Sequence, residues 1–250
     1  VKLAMVLEFH KMRRLRTAPT VAILVVAVAV LSSFSLFSGS TQETLNDPDS
    51  MPWAGLLTTY TLMSAMTSPI LISVIASRQT DIEHSGVGWT LASTAGYSPG
   101  RLCQAKLITL SIVLVPAVAI QTLLVIGIGL LAGIRAPLEP GPWVGYTLLL
   151  FFVDVGFLAI HIWLAAVVEN QLISVGIGML GAFLAAFTFL MPGPIARFIP
   201  WGYYAMISHA GQRGGSVAYI TPEYGWVVGF LLIVALAFAV VTHRLNRIER

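Results

Sequence analysis

Long runs without charge alternate with short, crowded stretches of it. No Asp, Glu, Lys or Arg occurs in Thr17–Gln42, Ser50–Ser77, Leu107–Ile134, Asn170–Ala196 or Tyr224–His243, and Pro140–Val168 carries only Asp154. Each run is long enough to cross a hydrocarbon core of ~30 Å as a helix of about twenty residues. A segment in lipid must satisfy its own backbone hydrogen bonds, so the runs read as helices. The pattern predicts an all-α integral membrane protein with six transmembrane helices. One transmembrane domain is expected over 1–250, with spans at about 18–39, 53–77, 105–133, 143–168, 172–191 and 225–243. Ahead of them, over 1–16, Val1, Met5, Phe9 and Met12 recur at helical spacing, with Lys2, Lys11, Arg13 and Arg14 available to lipid headgroups. That suits an N-terminal helix lying in the membrane interface; a flexible basic tail is the alternative. The first apolar run extends to Phe37, long for the core of a signal peptide, and is expected to be retained as the first span.

Finer patterns concern packing. Ser174, Gly178, Ala182 and Ala186 repeat every four residues, and Gly129 with Gly133 forms a second small pair. Small residues let membrane helices approach closely, within one bundle or between copies. Pro69 and Pro116 fall inside spans and are expected to kink them. The linker Glu169–Gln171 is short enough for an antiparallel helical hairpin. Residues 192–225 hold Pro192, Pro194 and Pro200 with Trp201, Tyr203 and Tyr204, and Trp226 follows; the segment is too broken to span. They predict a re-entrant or interfacial helical pair on the outer side, with aromatics at the membrane boundary, against an ordinary ordered loop. No internal repeat of the kind found in secondary transporters is evident.

Charged residues are 10% of the chain, against roughly 25% in soluble domains, and hydrophobic residues are 57%. The distribution of the net charge of +3 matters more than its size. Lys2, Lys11, Arg13, Arg14, Arg16, Arg78, Arg101, Lys106, Arg244, Arg247 and Arg250 fall in one set of gaps; the alternate set holds Arg135, Arg197 and Arg213. Lys and Arg accumulate on the cytoplasmic side, which orients the chain with both termini and Arg78–Lys106 inside. Glu43, Asp47 and Asp49 then lie outside. No basic patch interleaved with aromatics suggests nucleic acid. Cys103 stands alone, excluding an internal disulfide.

Candidate chemistry concentrates in two places. The connection Arg78–Lys106 joins an acidic pair (Asp81, Glu83), an apolar patch (Trp89, Leu91) and a basic pair (Arg101, Lys106). Long mixed connections in compact proteins tend to be functional. Its glycines do not make a phosphate loop, which is missing from the whole sequence, so the chain should bind no nucleotide itself. The second place is the interior of the spans. Asp154 there costs about 2.5–3.5 kcal/mol even on the lower scales, so it should face protein or water, or carry a proton. His161 is seven residues on, about 10 Å along the axis, too far for a direct pair in a straight helix. Gln121, Tyr60, Ser64 and Thr67 could hydrogen-bond either group. Asp154 and His161 either line a transport path or lock helices together.

The run Glu83, Gly88, Trp89, Leu91, Ser98, Arg101 and Lys106, between the second and third of six spans, resembles the permease subunits of type-2 ABC exporters. It is most similar in character to the branch with lantibiotic-immunity and bacitracin-resistance permeases. The start with Glu8 and Lys11 and the aromatic segment before the last span are also similar to that family. The resemblance implies that the segment after the second span docks on a separate ABC ATP-binding subunit through Asp81, Glu83 and Trp89, with Leu91 and Arg101 beside them. The other reading of the acids is that they are solvated or pair locally with Arg78 or Arg101. The resemblance further implies a bacterial inner-membrane location and a second permease copy or a homologous permease. ATP and Mg would sit on the partner, and an amphipathic antibiotic, peptide or lipid-like compound would be exported. Two rivals remain: an ion-coupled secondary transporter using Asp154, and an intramembrane enzyme. The latter lacks a Gly-x-Ser-x-Gly nucleophile turn, has Ser208 and His209 merely adjacent, and has no His-Glu-x-x-His metal pattern.

Overall fold

The computed structural model describes residues 2–38, Leu45 and residues 50–247, the side chains from Ala4 onward. The acidic loop with Glu43, Asp47 and Asp49 lies outside the described residues, as do Val1, Arg250 and the side chain of Lys2. In chain order come α1 (Lys2–Arg14), α2 (Thr17–Ser33, continued by a 3-10 turn over Phe34–Phe37), α3 (Pro52–Ser85), α4 (Gly88–Thr94) and α5 (Pro99–Leu131). Then follow α6 (Pro140–Val167), α7 (Gln171–Thr188), the single turns α8 (Gly193–Ala196) and α9 (Tyr203–Met206), strands β1 (Ala210–Arg213) and β2 (Ser216–Tyr219), and α10 (Tyr224–Leu245). Helices α2, α3, α5, α6, α7 and α10 are long and apolar enough to cross a membrane. This is an all-α, multi-pass membrane protein.

Local chemistry sets the helix ends. Prolines at the first turns of α3, α5 and α6 occupy positions where no backbone donor is needed. Asn170 caps α7 by accepting from the Leu172 amide at 3.0 Å, so α6 and α7 are joined by a tight turn. Helix α3 departs most from expectation. It runs past 77 to Ser85, and α5 begins at Pro99, so most of Arg78–Lys106 is helical.

Helix α3 is the axis of the bundle, with α2, α5, α6 and α7 all packed on it. Against α7 the approach is close: a Cβ on Gly178 would strike Ser73 and the Pro69 carbonyl. The buried positions Ser174, Gly178 and Ala182 of the small-residue stripe are therefore used within the chain.

Two ends can be distinguished. Helices α1 and α4 mark the basic end. At the other, the segment before α10 forms α8, a 3-10 turn over Pro200–Gly202, α9 and a β-hairpin, where a helical pair was expected. Gly214 and Gly215 both have positive φ, as a two-residue hairpin turn requires. Three aromatics of this segment turn inward, while Trp226 stays exposed. Trp201 and Tyr204 stack on Phe157 of α6, and Tyr203 stacks on Phe230 of α10.

Candidate coupling site at the basic end

Helix α1 places Ala4, Glu8 and Met12, four residues apart, on its buried face, while Val6, Leu7 and Phe9 are exposed. An acid on the inward face needs partners, and α3 and α5 supply them. Glu8 accepts from Lys11 at 2.7 Å, from Gln79 of α3 at 2.7 Å and from Lys106 of α5 at 2.9 Å. Lys106, wholly buried, also donates to Glu83 at 2.8 Å and to the Gln79 carbonyl at 2.8 Å. Its three hydrogens thus have three acceptors. Lys11 closes the ring by donating to Glu83 as well. Two carboxylates and two ammonium groups sum to zero charge, with Glu8, Glu83 and Lys106 buried and only Lys11 reaching the surface. A charge left alone there would carry a penalty of several kcal/mol. Burial pulls the Lys11 pKa down, but hydrogen bonds to Glu8 and Glu83 and their negative charge hold it above its ordinary 10.5.

The cluster seats α4. Gly88 passes so close to Glu83 that a Cβ would overlap its carboxylate and Cα, and the preceding Val87 adopts φ 54°. A β-branched residue in that region is strained, so the turn into α4 is held by its surroundings. Below α4, Trp89 donates to His84 Nδ1 at 3.4 Å, and His84 Nε2 donates to the Ala165 carbonyl of α6 at 2.8 Å. An indole N–H only donates and a carbonyl only accepts, so these partners put the imidazole proton on Nε2.

The five residues expected to meet a partner are thus sorted. Leu91 is 65% exposed and Arg101 is exposed, while Asp81 is half-buried. Glu83 and Trp89 are buried within the chain. Glu83 pairs with Lys106 and Lys11, not with Arg78 or Arg101. Arg78 instead donates to the Leu15 carbonyl and Thr20, fixing the turn from α1 into α2. Gln79 and His84 were not anticipated. The acid in the basic α1, four residues from Ala4 and from Met12, was the signal for the cluster.

The intramembrane candidates divide into separate sets. Gln121 donates to Tyr60 at 3.2 Å and to Ser64 at 3.3 Å, and Tyr60 bonds Thr122 at 3.1 Å. Asp154, midway along α6, accepts from Tyr204 of α9 at 2.9 Å. His161 bonds Ser174 of α7 at 3.2 Å. Tyr204 escaped notice as the partner of Asp154 because tyrosines in broken segments are ordinarily assigned to the membrane boundary. At the hairpin end Ser208 donates to the Ala210 carbonyl, and His209 bonds the Ile207 carbonyl and the Tyr224 hydroxyl. Both are committed to local structure instead of to each other. Among the described residues no group of three or more His, Cys, Asp and Glu side chains is placed to hold a metal.

Six long apolar helices packed around α3, with a short helix displayed at the basic end, define a multi-pass membrane bundle. Residues 4–185 match the family model described as ABC-2 family transporter protein, and the chain belongs to that family. It is therefore a membrane subunit of an ABC transporter, a transporter component that works with an ABC ATP-binding subunit. No curated protein and no solved structure matches the chain. The matched region contains the whole ion cluster and Asp154 but stops before Tyr204 and the hairpin.

Proposed function

We propose that the chain is the permease subunit of an ATP-driven exporter in the bacterial inner membrane, with both termini and Arg78–Lys106 in the cytoplasm. The orientation rests on the basic residues gathered at the α1 and α4 end. The chain pairs with a second copy or a homologous permease around a path for an amphipathic antibiotic, peptide or lipid-like compound. ATP and Mg are held by the partner subunits. The observation that carries the reading is the seating of α4: a seven-residue helix with exposed Val87 and Leu91, held on a buried ionic base. An apolar residue left in water on a rigid support is suited to anchor a partner. Leu91 and Arg101 then face the ATP-binding subunit, with Asp81 at the edge. Glu83 and Trp89 act from beneath, by holding α4 against α3 and α6.

Replacing Glu83 would leave Lys106 and Lys11 to share Glu8 alone, so exposed positions give the cleaner test. Val87→Ser with Leu91→Asp leaves the bundle intact and should abolish retention of the ATP-binding subunit on purification, together with ATP-dependent export. Retention and export equal to the parent would remove α4 from coupling.

A further inference from the structure

Between α1 and α4 lies a groove of about 440 Å³, bordered by Leu7, Lys11, Leu91, Ala92, Tyr97 and Leu102. Only two acids line it, Glu8 and Glu83, and both are buried and committed to lysines. The cation at its edge is different. Lys11 uses two hydrogens on Glu8 and Glu83, and its side chain keeps 25% exposure. Arg14, one turn further along α1, and Arg101, next to the groove residue Leu102, are both exposed. The surface offered around Leu91 is thus apolar with a basic rim, although the local sequence contains two of the chain's acids.

We infer that the docking surface of the partner is acidic: a segment of the ATP-binding subunit sets an apolar side chain into the α1–α4 groove and carboxylates against Lys11, Arg14 and Arg101. This rests on the reading of α4 as the contact with that subunit. It reverses the polarity that the sequence suggests, in which Asp81 and Glu83 would meet basic groups. The physical reason is that burial consumes Glu83, while Asp81, half-buried, lies outside the groove lining and the bases keep access to water. Complementary charge of this kind steers and orients association, while the apolar contact supplies most of the hold.

A zero-length carbodiimide, which joins an amine to a carboxylate in direct contact, tests the polarity on the assembled transporter. Parent, Arg14→Lys and Arg101→Lys complexes would be treated, and linked peptides mapped by mass spectrometry. Linkage from Lys11 and from the introduced lysines to Asp or Glu of the ATP-binding subunit is expected. Arg14→Glu with Arg101→Glu should lower retained ATP-binding subunit about tenfold at low salt, an effect that shrinks as the screening length falls from about 10 Å at 0.1 M to 3 Å at 1 M. Linkage in the opposite sense, from Asp81 or Glu169 to lysines of the partner, would overturn the inference while leaving α4 as the contact. So would undiminished retention in the double variant with loss of binding to vesicles containing an anionic lipid, which would assign these arginines to headgroups. A parent complex that keeps no ATP-binding subunit would overturn the docking reading itself.

Discussion

The ion cluster under α4 and the Asp154–Tyr204 pair solve one problem in different ways. Both join a spanning helix to an element that does not span: α1 covers Glu83 and Lys106, and α9 reaches Asp154. In the first, every charge has an opposite charge and the group is neutral as a whole. In the second, a single acid midway along α6 is met by a phenol, and among the described residues it forms no ion pair. The cluster tolerates full charges because they are complete as a set. It is correspondingly unforgiving of losing one member, whereas the acid of the pair is held by neutral hydroxyls, that of Tyr204 with Ser68 of α3 beside it.

The largest effect should therefore follow from Lys106→Met. It leaves Glu8 and Glu83 buried against Lys11 alone, and breaking a buried ion pair costs about 3–5 kcal/mol. Folded, monodisperse protein should fall sharply, and adding Glu8→Gln should recover part of it. Wild-type yield and melting temperature for Lys106→Met would place the lysine in water and dissolve the comparison.

A smaller loss is expected at the pair. Asp154→Leu and Tyr204→Phe should each cost about 1–2 kcal/mol, the scale of an interhelical hydrogen bond in a membrane, and the double variant little more than either. Asp154→Asn keeps an acceptor and should keep the melting temperature. Additive losses would show that the two side chains do not support each other. Normal stability with altered export in Asp154→Asn would assign the acid to a transport path.

The smallest effect concerns pH. Burial pushes His209 below its ordinary 6.5, and its hydrogen bond to the Ile207 carbonyl opposes this only in part. The folded state resists a proton that the unfolded state accepts, so this contribution is complete above pH 6.5 and lost as pH falls below it. The Lys11 contribution has the other sign. With a pKa raised above 10.5, it is present across the neutral range and fades only as pH climbs past that value. Acidification from pH 7.5 to 5 should lower the melting temperature of the parent more than that of His209→Gln. Equal slopes would remove His209 as the acid-sensitive group of the hairpin end.

The spans were legible because lipid penalises charge at every position along them, so gaps in the charge pattern mark them directly. The continuation of α3 to Ser85 was not, since beyond the hydrocarbon a helix is set by tertiary partners and hydropathy is silent. The pairings were hidden for another reason. Glu8 and Lys106 are 98 positions apart, and many acids and bases could have matched at the same end. The hairpin did leave a trace in Gly214–Gly215 flanked by Gln212, Val217 and Tyr219, which the proline-rich surroundings obscured. The candidate segment was legible by its place and chemistry, but not which of its side chains face outward. Burial decides that, and burial belongs to the fold.

One consequence of α3 is mechanical. Its 34 residues form one continuous helix of roughly 50 Å that passes through Pro69, with Gln79, Glu83 and His84 near one end and Tyr60 and Ser64 toward the other. A rod converts a small rotation into a large excursion: tilting it by about 5° at Glu83 carries Trp53 through about 4 Å, given 1.5 Å of rise per residue. Pro69, inside the helix, lacks the N–H that would brace this stretch, so it is the compliant point of the lever. Stiffening α3 there with Pro69→Ala would deliver more of any torque applied at α4 to the far side of the bundle, with every contact at both ends left unchanged.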